Sequence, residues 1–155
     1  TPTTTLIRSS AETEVNKRQE LQNRDILVAI VSSGVDLLIG SIANMLKVDD
    51  WAANGFEWDE EGWLIGSKPT VVQSHDKGIT VEKFARINSI DPENIVSVGD
   101  SGPDLSMMIP GSRFIGFNPA PNRGAEDFVK AGVPIIEGQN LRNIWQPMFG
   151  EPFPE

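Results

Sequence analysis

The stretch Asn94-Ile95-Val96-Ser97-Val98-Gly99-Asp100-Ser101-Gly102-Pro103-Asp104 decides how this chain is read. Ile95 to Val98 is an apolar run that reads as a buried strand, broken at Gly99. Two carboxylates, Asp100 and Asp104, follow on a turn that leads into a helix. A strand that ends this way puts its carboxylates at the carboxyl edge of a sheet, where ligands bind in open α/β sheets. Two carboxylates four residues apart on such a turn can converge on one hard cation. Mg2+ suits, because it keeps several waters and takes only one or two protein carboxylates. The competing reading is a polar loop whose aspartates cap the next helix, since Asp is a favoured N-cap residue.

Working outward, Ile26 to Val31 is an unbroken run of six apolar residues, the mark of a parallel strand covered on both faces. It stops at Ser32-Ser33-Gly34, and a helix is predicted over Val35 to Leu46, with Val35, Leu38, Ile39, Ile42, Met45 and Leu46 inward. Hydroxyls and backbone N–H groups at such a helix start make an anion site; alternatively Ser33 simply caps the helix. Phe56-Glu57-Trp58 and Trp63-Leu64-Ile65 flank Asp59-Glu60-Glu61-Gly62 and read as a hairpin packed on the main body. Lys77-Gly78 opens a helix with Val81, Phe84, Ala85 and Ile87 inward. Leu105 to Ile109 reads as a short helix, Arg113 to Phe117 as a strand ending at Asn118-Pro119, and Gly124 to Ala131 as a helix with Gly132 at C′. Val133 to Ile136 is a last strand and Asn140 to Met148 a last helix. Near the start, Leu6-Ile7-Arg8 reads as a short strand or ordered tail. Ser9 to Glu12 matches a capping box for a surface helix running to about Asn23. The alternation from Ile26 onward predicts an α/β fold: a three-layer, Rossmann-like parallel sheet with helices on both faces and a small β-hairpin.

The 155 residues read as a single domain, with a core over 25–148, an N-terminal tail and helix over 1–24 and a tail over 149–155. Residue 1 is Thr, so the chain is expected to be part of a longer one. A hydrophobic content of 39% and a mean hydropathy of −0.22 are those of a soluble globular protein, and no apolar run approaches a membrane span. There is no cysteine, which excludes disulfides and thiolate chemistry and fits a cytoplasmic protein. The net charge of −9 argues against nucleic acid and anionic membranes as partners. His75 reads as a solvated loop residue.

Three strand ends carry polar residues in chain order: Ser32, Asp100 with Asp104, and Asn118, with Lys77 opening the helix between the first two. If the strands are parallel, all lie on one edge. A hydroxyl, an ammonium, a carboxylate pair and an amide are suited to hold a phosphoryl group beside Mg2+.

Val-Ala-Ile-Val-Ser-Ser-Gly (28–34), Lys77-Gly78-Ile79-Thr80-Val81-Glu82-Lys83 and Val98-Gly99-Asp100-Ser101-Gly102-Pro103-Asp104 resemble the second, third and fourth motifs of the haloacid dehalogenase-like superfamily, in its phosphoserine phosphatase-like branch. The resemblance runs from about Arg24 to about Met148. It implies a Mg2+-dependent phosphomonoester phosphatase working on a small phosphorylated substrate through an aspartyl-phosphate. By it, Ser32, with Ser33 and Gly34, contacts the phosphoryl group and Lys77 balances its charge. Asp100 coordinates Mg2+, Asp104 supports the metal's shell or orients Lys77, and Asn118 lines the site. Pro103 stands where an asparagine is common in this branch. The family's first motif, Asp-x-Asp-x-Thr after a central strand, is absent from these residues; before Ser32 the only aspartate is Asp25, at the wrong end of its strand. The nucleophile is therefore expected outside this chain. The place of the first strand is expected to be filled by an upstream segment, a partner chain or Leu6-Ile7-Arg8. The chain alone is expected to be inactive. Two other readings compete: a non-catalytic phosphate- and metal-binding or regulatory relative, and a response-regulator-like domain with Asp100 as phospho-acceptor.

Overall fold

The computed structural model of the chain describes residues 4–6 and 18–154. Five strands pair in parallel around a short central one, in the order β3-β2-β1-β6-β7-β8. These are β1 (Thr4–Leu6), β2 (Leu27–Val35), β3 (Asp50–Asn54), β6 (Ile95–Gly99), β7 (Arg113–Phe117) and β8 (Ile135–Ile136). A separate antiparallel hairpin joins β4 (Phe56–Trp58) to β5 (Leu64–Ser67). Helices are α1 (of which 18–23 are described), α2 (Asp36–Leu46), α3 (Gly78–Ile87), α4 (Glu126–Ala131) and α5 (Trp145–Phe149).

The place of the central strand is held by the chain's own Thr4–Leu6. Leu6 stands opposite Ala29 of β2 and Ser97 of β6, so the strand bridges the two. Of the three fillers expected, the one within this chain, Leu6-Ile7-Arg8, matches at Leu6 alone, because the strand is Thr4–Leu6; Ile7, Arg8 and the capping box at Ser9 to Glu12 lie outside the described residues.

Strand alternation sends side chains to two faces. On one face Ala29, Val31, Ile95 and Phe114 pack with Val81 and Phe84 of α3, Met107 and Phe128 of α4. On the other, Val28, Val96, Val98 and Ile115 pack with Leu21 of α1 and Leu141, Ile144, Trp145 and Met148. The result is the three-layer arrangement the sequence predicts. The helix expected on the surface, α1, nevertheless contributes a core residue, Leu21, which is 2% exposed.

Several local expectations are corrected. β2 does not stop at Ser32 but runs on to Val35, with a register shift after Val31. The residue before α2 is Val35, so Ser33 caps nothing. On α2 only Ile39, Ala43 and Leu46 are buried, while Val35, Leu38 and Met45 face outward. Ile87 is exposed as well. The short helix expected over Leu105 to Ile109 is a 3-10 helix that starts earlier, Gly102–Met107. β3 was not foreseen, because Asp50-Trp51-Ala52-Ala53-Asn54 lacks the bulky apolar run of a central strand; as an edge strand it needs only Ala53 in the core. The hairpin does not pack its aromatics: Trp58 and Trp63 are exposed.

Candidate active site

Parallel register brings the strand ends together. Ser32 and Asp100 each lie three residues beyond a partner of Leu6, so they reach the same level on either side of β1. Two strand spacings separate them, roughly 9–10 Å. Gly99 stands opposite Gly116, which carries Asn118 to the same edge. A cavity of about 230 Å³ there is lined by Val98, Gly99, Asp100, Phe117 and Asn118. A larger one, about 610 Å³, lies beside β3 and α3, and none of the predicted site residues lines it.

The centre of the arrangement is Asp104, 2% exposed. Its Oδ1 accepts from the Lys77 ammonium, itself 5% exposed. Its Oδ2 accepts from the Asp100 and Ser101 backbone N–H groups at 3.1 Å each and from the Ser101 hydroxyl at 2.9 Å. Burial by itself would raise this carboxyl's pKa. The Lys77 hydrogen bond and charge, with the donors from Ser101 and Asp100, outweigh it and hold the group below the ordinary carboxylate range. Asp104 thus takes part in capping the next helix, as the competing reading expects, from the N3 position of a capping box with Ser101, and it also fixes Lys77.

Two glycines allow this closeness. A Cβ on Gly99 would sit 2.4 Å from the Asp104 Cβ, and one on Gly78 would sit 2.5 Å from the Ser106 carbonyl oxygen. Ser106 completes the link between helix and turn: its hydroxyl accepts from the Lys77 backbone N–H at 2.9 Å and donates to the Pro103 carbonyl at 2.8 Å. Sequence reasoning missed Ser101, Ser106 and both glycines' packing role. The three-residue spacing of Ser101 and Asp104, that of a capping box, is a signal that could have found Ser101.

The other predicted residues stand differently. Ser32 is buried, and its hydroxyl accepts from the Gly34 N–H at 3.1 Å. Ser33 and Gly34 are exposed. The expected anion cradle at the start of α2 is not built: the helix begins at Asp36, whose carboxylate takes the Leu37 N–H at 2.8 Å and adds a negative charge where an anion would sit. Asn118 lines the cavity, but its amide is engaged in a two-point clamp on Gly138, accepting from the Gly138 N–H at 2.8 Å and donating to the Gly138 carbonyl. That clamp holds Asn118 in the left-handed region, at φ 46°. His75 is an exposed loop residue.

The donor set can be tested against Mg2+. Asp100 is exposed at the strand end and supplies one carboxylate, which suits a cation that completes its shell with waters and substrate oxygens. Both oxygens of Asp104 accept hydrogen bonds, so of the two roles expected for it, supporting the metal's shell or orienting Lys77, its contacts match the second. Among the described residues no group of three or more His, Cys, Asp or Glu side chains is placed to hold a metal ion. No described helix is long and apolar enough to cross a membrane.

No family model matches the chain. A phosphoserine phosphatase of Methanocaldococcus jannaschii is 36% identical over 128 residues, which are 81% of this chain and 57% of that protein. A solved structure of a substrate-bound phosphoserine phosphatase complex superposes with a TM-score of 0.75 at 29% identity, covering 90% of this chain and 63% of the other. A phospho-aspartyl intermediate analogue of phosphoserine phosphatase gives 0.74 at 30% identity, over 91% and 65%. The chain therefore spans a little over half to about two thirds of the length of these relatives. With three motifs gathered at one edge and this sheet order, the chain is similar to the phosphoserine phosphatases, as the phosphoserine phosphatase-like branch of the haloacid dehalogenase-like superfamily would be.

Proposed function

We propose that this chain is the larger part of a Mg2+-dependent phosphatase that hydrolyses a small phosphomonoester, working in the cytoplasm. The observation that carries the reading is the buried Lys77–Asp104 pair, whose carboxylate also organises the turn that bears Asp100. A lysine ammonium has three N–H groups, and Asp104 takes one. The remainder suit the oxygens of a phosphoryl group at the carboxyl edge. Ser32 lies at the same level across β1 and donates its hydroxyl to the same group, with Ser33 and Gly34 beside it. Asn118 acts through the Gly138 clamp to fix the cavity wall. Mg2+, held by Asp100, would neutralise charge on the phosphoryl oxygens. Asp104 is a positioning residue: it keeps Lys77 in place.

In this reading the phosphoryl group passes to an aspartate carboxylate and then to water. The nearest support is the phospho-aspartyl analogue of the similar phosphatase. No Asp-x-Asp pair occurs in these 155 residues, so the nucleophile comes from elsewhere. The same observation favours one alternative, a relative that binds phosphate and metal without turnover. The test is hydrolysis of small phosphomonoesters by the protein as its source produces it. The phosphatase reading expects Mg2+-dependent turnover that falls at least about 100-fold in Asp100→Asn. Undiminished activity in that variant would overturn it; Mg2+-dependent phosphate binding without turnover would establish the alternative.

A further inference from the structure

The β4–β5 hairpin carries a surface that neither the core nor the strand-end cavity uses. Trp58 is 44% exposed, Trp63 69%, Leu64 55% and Ile65 64%. Trp58 stands directly across from Leu64 in the antiparallel register, so these two share a face. The frame under them is fixed. Asp59 Oδ1 accepts from the backbone N–H groups of Glu61 at 3.0 Å and Trp63 at 2.8 Å, and the Asp59 N–H donates to the Trp63 carbonyl at 2.9 Å. Gly62 supplies the φ of 88° that closes the turn. At the neck, the Lys68 N–H donates to the Gly55 carbonyl at 3.0 Å, and the Asn54 amide donates to the Ser33 carbonyl at 3.1 Å. A two-stranded hairpin is marginal in water on its own. Here its polar groups set a definite shape, and its largest apolar side chains are left outside. Alternation along β5 turns Leu64 toward the face of Trp58 and Ile65 toward the other, so both faces of the hairpin present large exposed apolar side chains, and such exposed apolar groups mark an interaction site.

Charge identifies the partner's chemistry. Residues 55–67 include Glu57, Asp59, Glu60 and Glu61 and no Lys, Arg or His. All four carboxylate residues are exposed. A second copy of the chain would bring four more carboxylates against them on a molecule of net charge −9, and an anionic membrane is repelled for the same reason. A polypeptide that mixes Lys or Arg with apolar residues satisfies both halves of the surface. Its cations pair with the carboxylates and lie over the indole faces, and its apolar side chains cover Trp63 and Ile65, two residues apart on the chain.

We propose that the β4–β5 hairpin is a docking surface for a basic, apolar-rich polypeptide segment. β3 runs parallel to β2, and the hairpin starts two residues after Asn54, so the docked segment lies at the same sheet edge as Ser32 and Asp100. This inference is independent of turnover.

The test is fluorescence anisotropy with a labelled twelve-residue peptide of alternating Lys and Leu, at about 0.15 M salt to screen general attraction. Comparators are an alternating Lys–Ser and an alternating Glu–Leu peptide. The Lys–Leu peptide is expected to bind, the Lys–Ser peptide at least about tenfold more weakly, and the Glu–Leu peptide not at all. Trp63→Ser and the pair Glu60→Lys with Glu61→Lys should each weaken binding about tenfold or more. Asp91→Lys with Glu93→Lys makes the same charge change in the α3–β6 connection, at the opposite edge of the sheet, and should change binding less than about twofold. The proposal is overturned by absence of binding, by equal binding of the Lys–Leu and Lys–Ser peptides, or by equal affinity in all variants. It is also overturned by concentration-dependent self-association that Trp63→Ser abolishes.

Discussion

Two strand-to-helix turns meet at the carboxyl edge, one after β2 and one after β6, and they are built in opposite ways. The β6 turn is closed on a single buried carboxylate that takes one ammonium, two backbone N–H groups and a hydroxyl. At the β2 turn the Ser32 hydroxyl takes the Gly34 N–H and the Asp36 carboxylate takes the Leu37 N–H, and α2 starts without a side-chain cap from the residue before it. The first is fixed by its own network. The second takes its position from strand register and from the Asn54 side chain, which donates to the Ser33 carbonyl. The difference separates a turn fixed by one buried network from a turn placed by strand register.

The sharpest way to break that contrast is Asp104→Ala. It leaves the Lys77 ammonium buried without its counter-charge, which costs about 3–5 kcal/mol and should lower the Tm by on the order of 10 °C. Gly99→Ala forces a Cβ to 2.4 Å from that of Asp104 and should cost about 1–3 kcal/mol, read by urea unfolding. Acid sharpens the contrast next. The native pKa of Asp104 is depressed, so its stabilisation is complete above the ordinary Asp value of about 4 and is lost as pH falls through the lower native value. Thermal melts should therefore fall more steeply with acid in the natural sequence than in Asp104→Asn. Ser32→Ala removes a single hydrogen bond from the looser turn, and its stability cost should be about 1 kcal/mol. Smallest of all, Trp63→Ser should leave stability within about 0.5 kcal/mol, because the indole is exposed.

The two turns also differ in how much of them could be read from sequence. Ile95 to Asp104 was legible because an apolar run, a glycine and spaced carboxylates each point to the same local structure. The partner of Asp104 was legible only as one of two options, since the Lys77 contact spans 27 positions of the chain. At β2 the apolar run located the strand, but not its end: Ser-Ser-Gly looks like a break, and only pairing with β3 carries the strand through to Val35. β3 itself was missed because its small Ala residues need an edge position, a property of the whole sheet. The outward turn of Leu38 and Met45, and the exposed tryptophans, run against the rule that periodic apolar residues face the core.

The most direct test of the central claim, that the β6 edge is a phosphate and Mg2+ site, is calorimetric titration of inorganic phosphate into this chain. It would be run with Mg2+ and with chelator, for the natural sequence and for Asp100→Asn, a change at an exposed position. The account predicts binding that requires Mg2+ and is lost in Asp100→Asn. Phosphate affinity that is the same without Mg2+, or unchanged in the variant, would contradict it.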